Sequence, residues 1–194
     1  MALTWPALIR PSEMTWGLVN NSRAFTSTLS NAQEIVGQPG AYWQCTLTFD
    51  LLTRVQEREL SGFLGRLDGM FGTFNLPAFT RRRTDNVGAL KVATGNAQSR
   101  SIAVSGGTPN AMLFSVGDYL TVAGEMFEVV QAVSANAQGL ATVLVNKRIR
   151  RTLTVGAAIE YQNPYSEMRM TQDTWAMTVK PVVANGSYQF REAF

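Results

Sequence analysis

Large apolar side chains occupy every second position between Ala41 and Phe49. Trp43, Cys45, Leu47 and Phe49 fall on one side, and Tyr42, Gln44, Thr46 and Thr48 on the other. That period of two belongs to a half-buried antiparallel strand, whose apolar side needs a cover. The next segment supplies one. Asp50 offers an N-cap, as does Thr53 through the pair Thr53/Gln56. Leu52, Val55, Leu60, Phe63, Leu64 and Leu67 then make a stripe near helical spacing. Gly69 suits the left-handed stop of a helix covering about residues 51–69. A tight connection, Met70 to Gly72, leads to a strand at Thr73 to Leu76. The unit predicted is strand–helix–strand, with Cys45 an inert core thiol.

The first forty residues read as irregular. Pro6, Pro11 and Pro39 interrupt any ladder, and Asn20-Asn21, Asn31 and Gly37 mark bends. Short strands fit at Thr15 to Val19 and at about Gln33 to Val36. An extended arm is expected, lying on the body or on a neighbouring subunit, with Trp5, Trp16 and Phe25 in need of cover. The polar stretch Thr80 to Asn86, with Arg81, Arg82 and Arg83, reads as a boundary. Beyond it lie short strands: Leu90 to Ala93, Ser101 to Val104, Tyr119 to Val122, Glu125 to Ala132, Ala141 to Val145 and Ala157 to Tyr161. Gly106-Gly107, Ala123-Gly124 and Gln138-Gly139 supply hairpin turns between them. After Pro164, strands at Glu167 to Gln172, Trp175 to Pro181 and Ser187 to Arg191 return to the first sheet. The expected fold is mainly β. Residues 1–83 and 163–194 form a β-sandwich with one flanking helix, and residues 84–162 form an inserted small all-β domain, a barrel or compact sandwich.

The chain contains no histidine among its 194 residues, which excludes a Ser-His-Asp triad or a Cys-His dyad and disfavours most transition-metal sites. Cys45 is the only cysteine, so no intrachain disulfide forms. The start, Met1-Ala-Leu-Thr-Trp-Pro6, lacks a basic region followed by an apolar run and is not read as a signal peptide. No apolar stretch reaches the ~20 residues of a membrane span, so neither membrane insertion nor secretion is expected. Carboxylates are the remaining enzyme candidates: Asp118 and Glu125 flank one hairpin, and Glu57, Glu59 and Asp68 lie on the helix. Nothing points to a cleft around them, and no phosphate-binding or dinucleotide-binding glycine motif is present. No enzymatic activity and no cofactor or metal is expected. Only 16% of residues are charged, which fits surfaces covered by neighbouring subunits. Two basic clusters stand out, Arg81-Arg82-Arg83 and the set Lys147, Arg148, Arg150 and Arg151. They read as inter-subunit contacts or a solvated rim, or as a positive ring lining a channel for DNA.

Several segments together carry a family resemblance. They are Trp16-Gly-Leu-Val-Asn20, Phe25 to Leu29, Gly40-Ala-Tyr-Trp43, Leu60-Ser-Gly-Phe-Leu64, Gly69 and Gly72-Thr-Phe74. In the second half they are Gly117-Asp-Tyr-Leu120, Gly139-Leu-Ala-Thr-Val143, Arg148-Ile-Arg150 and Ser187-Tyr-Gln-Phe190-Arg-Glu192. The set resembles the tail structural proteins of tailed bacteriophages, in particular distal-tail and tail-tip ring proteins with a tail-tube-like fold. The resemblance implies a virion component, made in the host cytoplasm, that closes into a homo-oligomeric ring, most often of six copies. Its expected partners are the tail tube, the tail-tip hub and fibre proteins, with DNA passing transiently through the ring. Trp5 would clip onto a neighbour, and the two basic clusters would lie at interfaces. Common distal-tail proteins carry the extra domain at the C-terminus, whereas an insertion is inferred here. A carbohydrate-binding or fibre-adaptor module is the alternative function, and a carboxylate-based glycan hydrolase at the tail tip is a third.

Overall fold

The structure is a computed structural model that describes residues 2–194. Its strands are, in chain order, β1 (Leu3–Thr4), β2 (Glu13–Thr26) and β3 (Gln33–Leu52), followed by helix α1 (Arg54–Arg66) and β4 (Phe74–Pro77). Then come β5 (Gly88–Thr94), β6 (Ser101–Gly107), β7 (Met112–Phe114), β8 (Tyr119–Val122), β9 (Glu125–Glu128), β10 (Val133–Ser134), β11 (Ala141–Leu144) and β12 (Ile159–Glu160). The chain closes with β13 (Tyr165–Met170), β14 (Thr178–Val179) and β15 (Ala184–Glu192). The protein is mainly β, with one α-helix among the described residues.

Residues from both ends of the chain build one seven-stranded sheet in the order β1-β4-β13-β15-β3-β2, with β14 paired to β15. It is antiparallel except for the β1–β4 pair. One parity of side chains is buried: Trp43, Cys45, Leu47 and Phe49 on β3, Tyr188 and Phe190 on β15, Met168 and Met170 on β13. Where a sandwich was expected, a single sheet forms, and other elements supply the second layer. Helix α1 covers part of the apolar face with Leu60, Phe63 and Leu64, spaced i, i+3 and i+4. Its start is a capping box at Thr53, whose hydroxyl accepts from the Gln56 N–H while the Gln56 side chain accepts from the Thr53 N–H. Asp50 does not cap the helix; its carboxylate accepts from Ser12 Oγ. Val55, placed on the apolar stripe by its spacing, is exposed on the first turn.

The second core lies within residues 87–161. Strands β11-β6-β5 and β12-β8-β9 form two three-stranded sheets. A bridge between Lys91 and Ala158 joins them on one side, and a bridge between Val129 and Val145 joins them on the other. The six strands therefore return on themselves as a small barrel filled by Ile102, Val104, Leu120, Phe127, Val143 and other apolar residues. The β8–β9 connection is a two-residue turn in which Ala123 (φ 50°) and Gly124 (φ 81°) are both left-handed.

The barrel covers the same sheet face as α1, at the Trp43 end of β3. A third cluster, Trp43, Ala78, Tyr119 and Met126, joins the two bodies, and Trp43 Nε1–H donates to the Met126 carbonyl at 2.8 Å. The other sheet face stays open. Its side chains are mostly uncharged and polar, such as Gln44, Thr46 and Thr48 of β3 and Ser187 and Gln189 of β15.

The N-terminal third departs most from the sequence reading. The irregular arm is instead a ladder of two long strands, β2 with 14 residues and β3 with 20. Pro39 and Gly40 do not end the ladder; they form a bulge. Val19 pairs with Tyr42 and Asn21 with Gln38, so β3 holds extra residues opposite Asn20. Gly40 takes a φ of 123° there, a value a side chain would resist.

Candidate assembly interface

Beyond that bulge the two strands leave the body. Every residue from Asn20 to Pro39 is exposed, twenty in succession, on both faces of the ribbon. The tip is a tight loop in which Ser27 N–H donates to the Ala32 carbonyl and Ser27 Oγ accepts from the Leu29 and Ser30 N–H groups. That geometry pushes Leu29 outward, 99% exposed. Phe25 is 59% and Ile35 66% exposed, on opposite faces by strand parity. An isolated two-stranded ribbon is marginal in water, because ladder hydrogen bonds alone barely offset the ordering of its backbone. Large apolar side chains on both faces leave it with surface that a partner would cover.

Strand β2 is also an edge of the large sheet. Its 14 residues carry only two charges, Glu13 and Arg23, and no proline. Long, weakly charged edges of this kind present free N–H and C=O groups and pair with other strands unless blocked.

The side chains singled out from sequence fall in different places. Trp5 is buried in the chain's own core, where its ring stacks at 6.2 Å on Phe49 and meets Phe63 edge-on at 5.2 Å, and Nε1–H donates to the Ile9 carbonyl. Directly after the short edge strand β1, it is held by the aromatic cluster beneath the helix, so its ring is not free to clip onto another copy. Lys147 is likewise internal and so does not belong to a surface cluster. Its ammonium lies 2.6 and 2.7 Å from the two oxygens of Glu192, which is also buried. Arg150 Nη2 donates to Glu192 Oε2 at 2.6 Å and to the Ala41 carbonyl at 3.2 Å, and the Trp43 N–H donates to the same carboxylate at 3.0 Å. Glu125 completes the group, with Oε1 3.4 Å from Lys147 Nζ. Burial raises the Glu125 carboxyl above its ordinary range despite the two nearby cations, and burial lowers Lys147. Glu192 belongs to the sheet, and Lys147, Arg150 and Glu125 to the barrel, so the cluster pins the two bodies together.

Arg83 holds a second junction. It pairs with Asp85, donates to Asp118 at 2.9 Å and to the Leu113 carbonyl at 2.9 Å, and lies over the Phe114 and Tyr161 rings. The Asp85 pair holds its guanidinium above the usual range. Arg81, Arg82, Arg148 and Arg151 are exposed. Arg81 lies 5.3 Å over the Tyr119 ring and Arg82 5.3 Å over Phe79, which also carries Arg10 at 4.7 Å. The basic clusters are therefore divided between internal ties at Arg83, Lys147 and Arg150, the cations Arg81 and Arg82 set on aromatic faces, and exposed Arg148 and Arg151.

The candidate acids do not converge. Asp118 sits at the open end of the β8–β9 hairpin, accepting from Arg83 and the Ser115 N–H, while Glu125 sits at its turn. Cys45 is buried, and burial pushes its thiol far above the ordinary range. Among the described residues no three His, Cys, Asp or Glu side chains gather in a way that would hold a metal, and no helix is long and apolar enough to cross a membrane. No protein-family model matches the sequence, and no curated protein matches it either.

Proposed function

We propose that this protein is a structural subunit of a bacteriophage tail that assembles with copies of itself into a ring at the distal tail or tail tip. The observation that carries the assembly reading is the ribbon of residues 20–39, exposed on both faces, continuing an unblocked sheet edge. Twenty residues is the size of one side of a standard interface, about 20–30 residues per partner. The tail assignment comes from the sequence resemblance, and the layering is consistent with it. Helix and barrel lie together on one sheet face and leave the other free to form an inner wall. That wall would be polar and sparsely charged, with Arg169 and Arg191 directly opposite one another and Glu167 and Glu13 on the same face. DNA would pass such a surface without being held tightly, since binding grows with each phosphate neutralised. The barrel would face outward, towards fibres or hub proteins.

Negative-stain electron microscopy of the purified, concentrated protein tests this reading. Closed rings with a central channel support it. A monodisperse population of single small particles at every concentration contradicts it.

Glycan binding is a second reading, drawn from one cleft. Between the 171–176 loop and β15 lies a space of about 420 Å³ lined by Trp175, Gln172, Thr174, Ser187 and Gln189. One indole beside side-chain amides and hydroxyls is the surface that sugars recognise. Titration of oligosaccharides into the parent and a Trp175→Ala variant separates the readings, with loss of binding in the variant favouring the second.

A further inference from the structure

We infer that copies of this chain join head to tail, the ribbon tip of one copy lying on an apolar patch at the far end of β3 of the next. The inference rests on the self-assembly proposed above and specifies its geometry.

The receiving patch consists of Leu51, Val55, Val182 and Leu8. Leu51 is 70%, Val55 68% and Val182 77% exposed, and Leu8 is exposed as well. Polar ties hold their segments side by side. Arg54 Nη2 donates to the Pro181 carbonyl at 3.0 Å, Gln56 Nε2 to the Leu8 carbonyl at 3.2 Å, and the Leu51 N–H to Asn185 Oδ1 at 3.4 Å. Leu51 is the most telling member. Ala184 pairs with Leu52 and Gly186 with Phe49, so Asp50 and Leu51 bulge together opposite Asn185. Leu51 takes a φ of 60°, a left-handed conformation that a bulky side chain seldom holds. The bulge holds leucine out to water on a strained backbone, and such strain gathers at working surfaces.

The occupant follows from the placement of the two surfaces. β3 runs unbroken from the ribbon to this patch, and Ile35 and Leu51 are sixteen residues apart along it. At about 3.3 Å per residue they stand roughly 50 Å apart, too far to meet within one molecule. A twofold contact of ribbon on ribbon would leave the patch bare, and a contact of patch on patch would leave the ribbon bare. Ribbon on patch covers both; passed on from copy to copy it is a heterologous contact that closes into a ring when the rotation permits, whereas returned by the same partner it stops at a dimer. The patch rim carries Arg54, Lys180 and Asp50, all exposed, and the ribbon carries one cation, Arg23, and one carboxylate, Glu34.

Paired cysteine variants decide the matter, because Cys45 is buried and unreactive. Ile35→Cys and Val55→Cys, both at exposed positions, are co-expressed with different tags and treated with a short thiol crosslinker. The expected product is a mixed-tag dimer, absent when either variant is treated alone. A dimer of Ile35→Cys with itself shows ribbon-on-ribbon pairing and overturns the head-to-tail geometry while leaving self-assembly intact. Oligomers in sedimentation without any crosslink, or a crosslinked dimer that grows no further at any concentration, overturn it equally. A chain that stays monomeric overturns both the geometry and the function proposed above. A second variant, Leu51→Gly, relieves the backbone strain; it is expected to melt no lower than the parent yet self-associate at least ten-fold more weakly. Association at full strength in that variant overturns the docking role of Leu51.

Discussion

Replacing Glu192 by leucine strips the buried cluster of its acceptor. Lys147 then keeps only Glu125 at 3.4 Å, against two oxygens at 2.6 and 2.7 Å in the parent. Removing one partner of a buried ion pair costs about 3–5 kcal/mol, because the other charge stays desolvated. For a chain of this length each kcal/mol moves the melting temperature by about 2–4 °C, so Glu192→Leu is expected to lower it by roughly 6–20 °C. Lys147→Met is expected to cost a similar amount. The double variant removes both charges and leaves the Trp43 N–H without its acceptor, a loss of about 1–3 kcal/mol. Arg150 retains the Ala41 carbonyl and the Phe194 ring, 4.1 Å away. Urea denaturation of the four proteins closes a double-mutant cycle with a coupling energy of at least about 3 kcal/mol. Single variants that lose less than about 1 kcal/mol, or a double variant equal to the sum of the singles, would refute the cluster as the pin between sheet and barrel.

Three further outcomes are expected. Glu125→Gln should flatten the pH dependence of stability: the raised carboxyl contributes stability that is complete below the ordinary glutamate value and lost as pH rises through its folded value. Melting curves from pH 4 upward check it, and parallel profiles for parent and variant count against it. Trp5→Ala should cost about 3–5 kcal/mol in denaturant, as a large buried aromatic does, whereas a neighbour-clipping Trp5 would show its loss only in assembly. Thr53→Ala should cost about 1 kcal/mol through loss of the capping box, read by thermal unfolding, and an unchanged melting point contradicts that capping role.

The elements visible in the sequence are those whose environment repeats with their own period. β3 from Ala41 to Phe49 and the α1 stripe around Leu60, Phe63 and Leu64 each bury one side, so spacing exposes them. The ribbon buries neither side. Its residues show no alternation, and Gly37, Pro39 and Gly40 read as breaks when they make a bulge in a continuing strand. The missing period, which conceals the ribbon, follows from its exposure on both faces. Lys147 illustrates the opposite error. Val143, Val145, Lys147 and Ile149 share one buried parity, a signal present in the sequence, which the charge of Lys147 and the adjacent arginines masks. No local pattern announces Glu192: its partner lies 45 residues away, and only the folded chain brings the carboxylate to it. The strands Met112–Phe114 and Val133–Ser134 leave no mark in the sequence, because three and two residues are too short to carry a period. The spacing predicts a full strand from Trp175 to Pro181, yet only Thr178–Val179 pairs: Trp175 and Met177 pack on the core without a ladder, and Pro181 lacks a donor.

The most direct measurement is sedimentation velocity over a wide concentration range, comparing the intact chain with one in which residues 22–37 are replaced by a two-residue Asn-Gly turn. Assembly through the ribbon predicts a concentration-dependent oligomer for the intact chain and a monomer with an unchanged melting temperature for the shortened one. Identical sedimentation of the two proteins, whether both monomeric or both assembled, would contradict it.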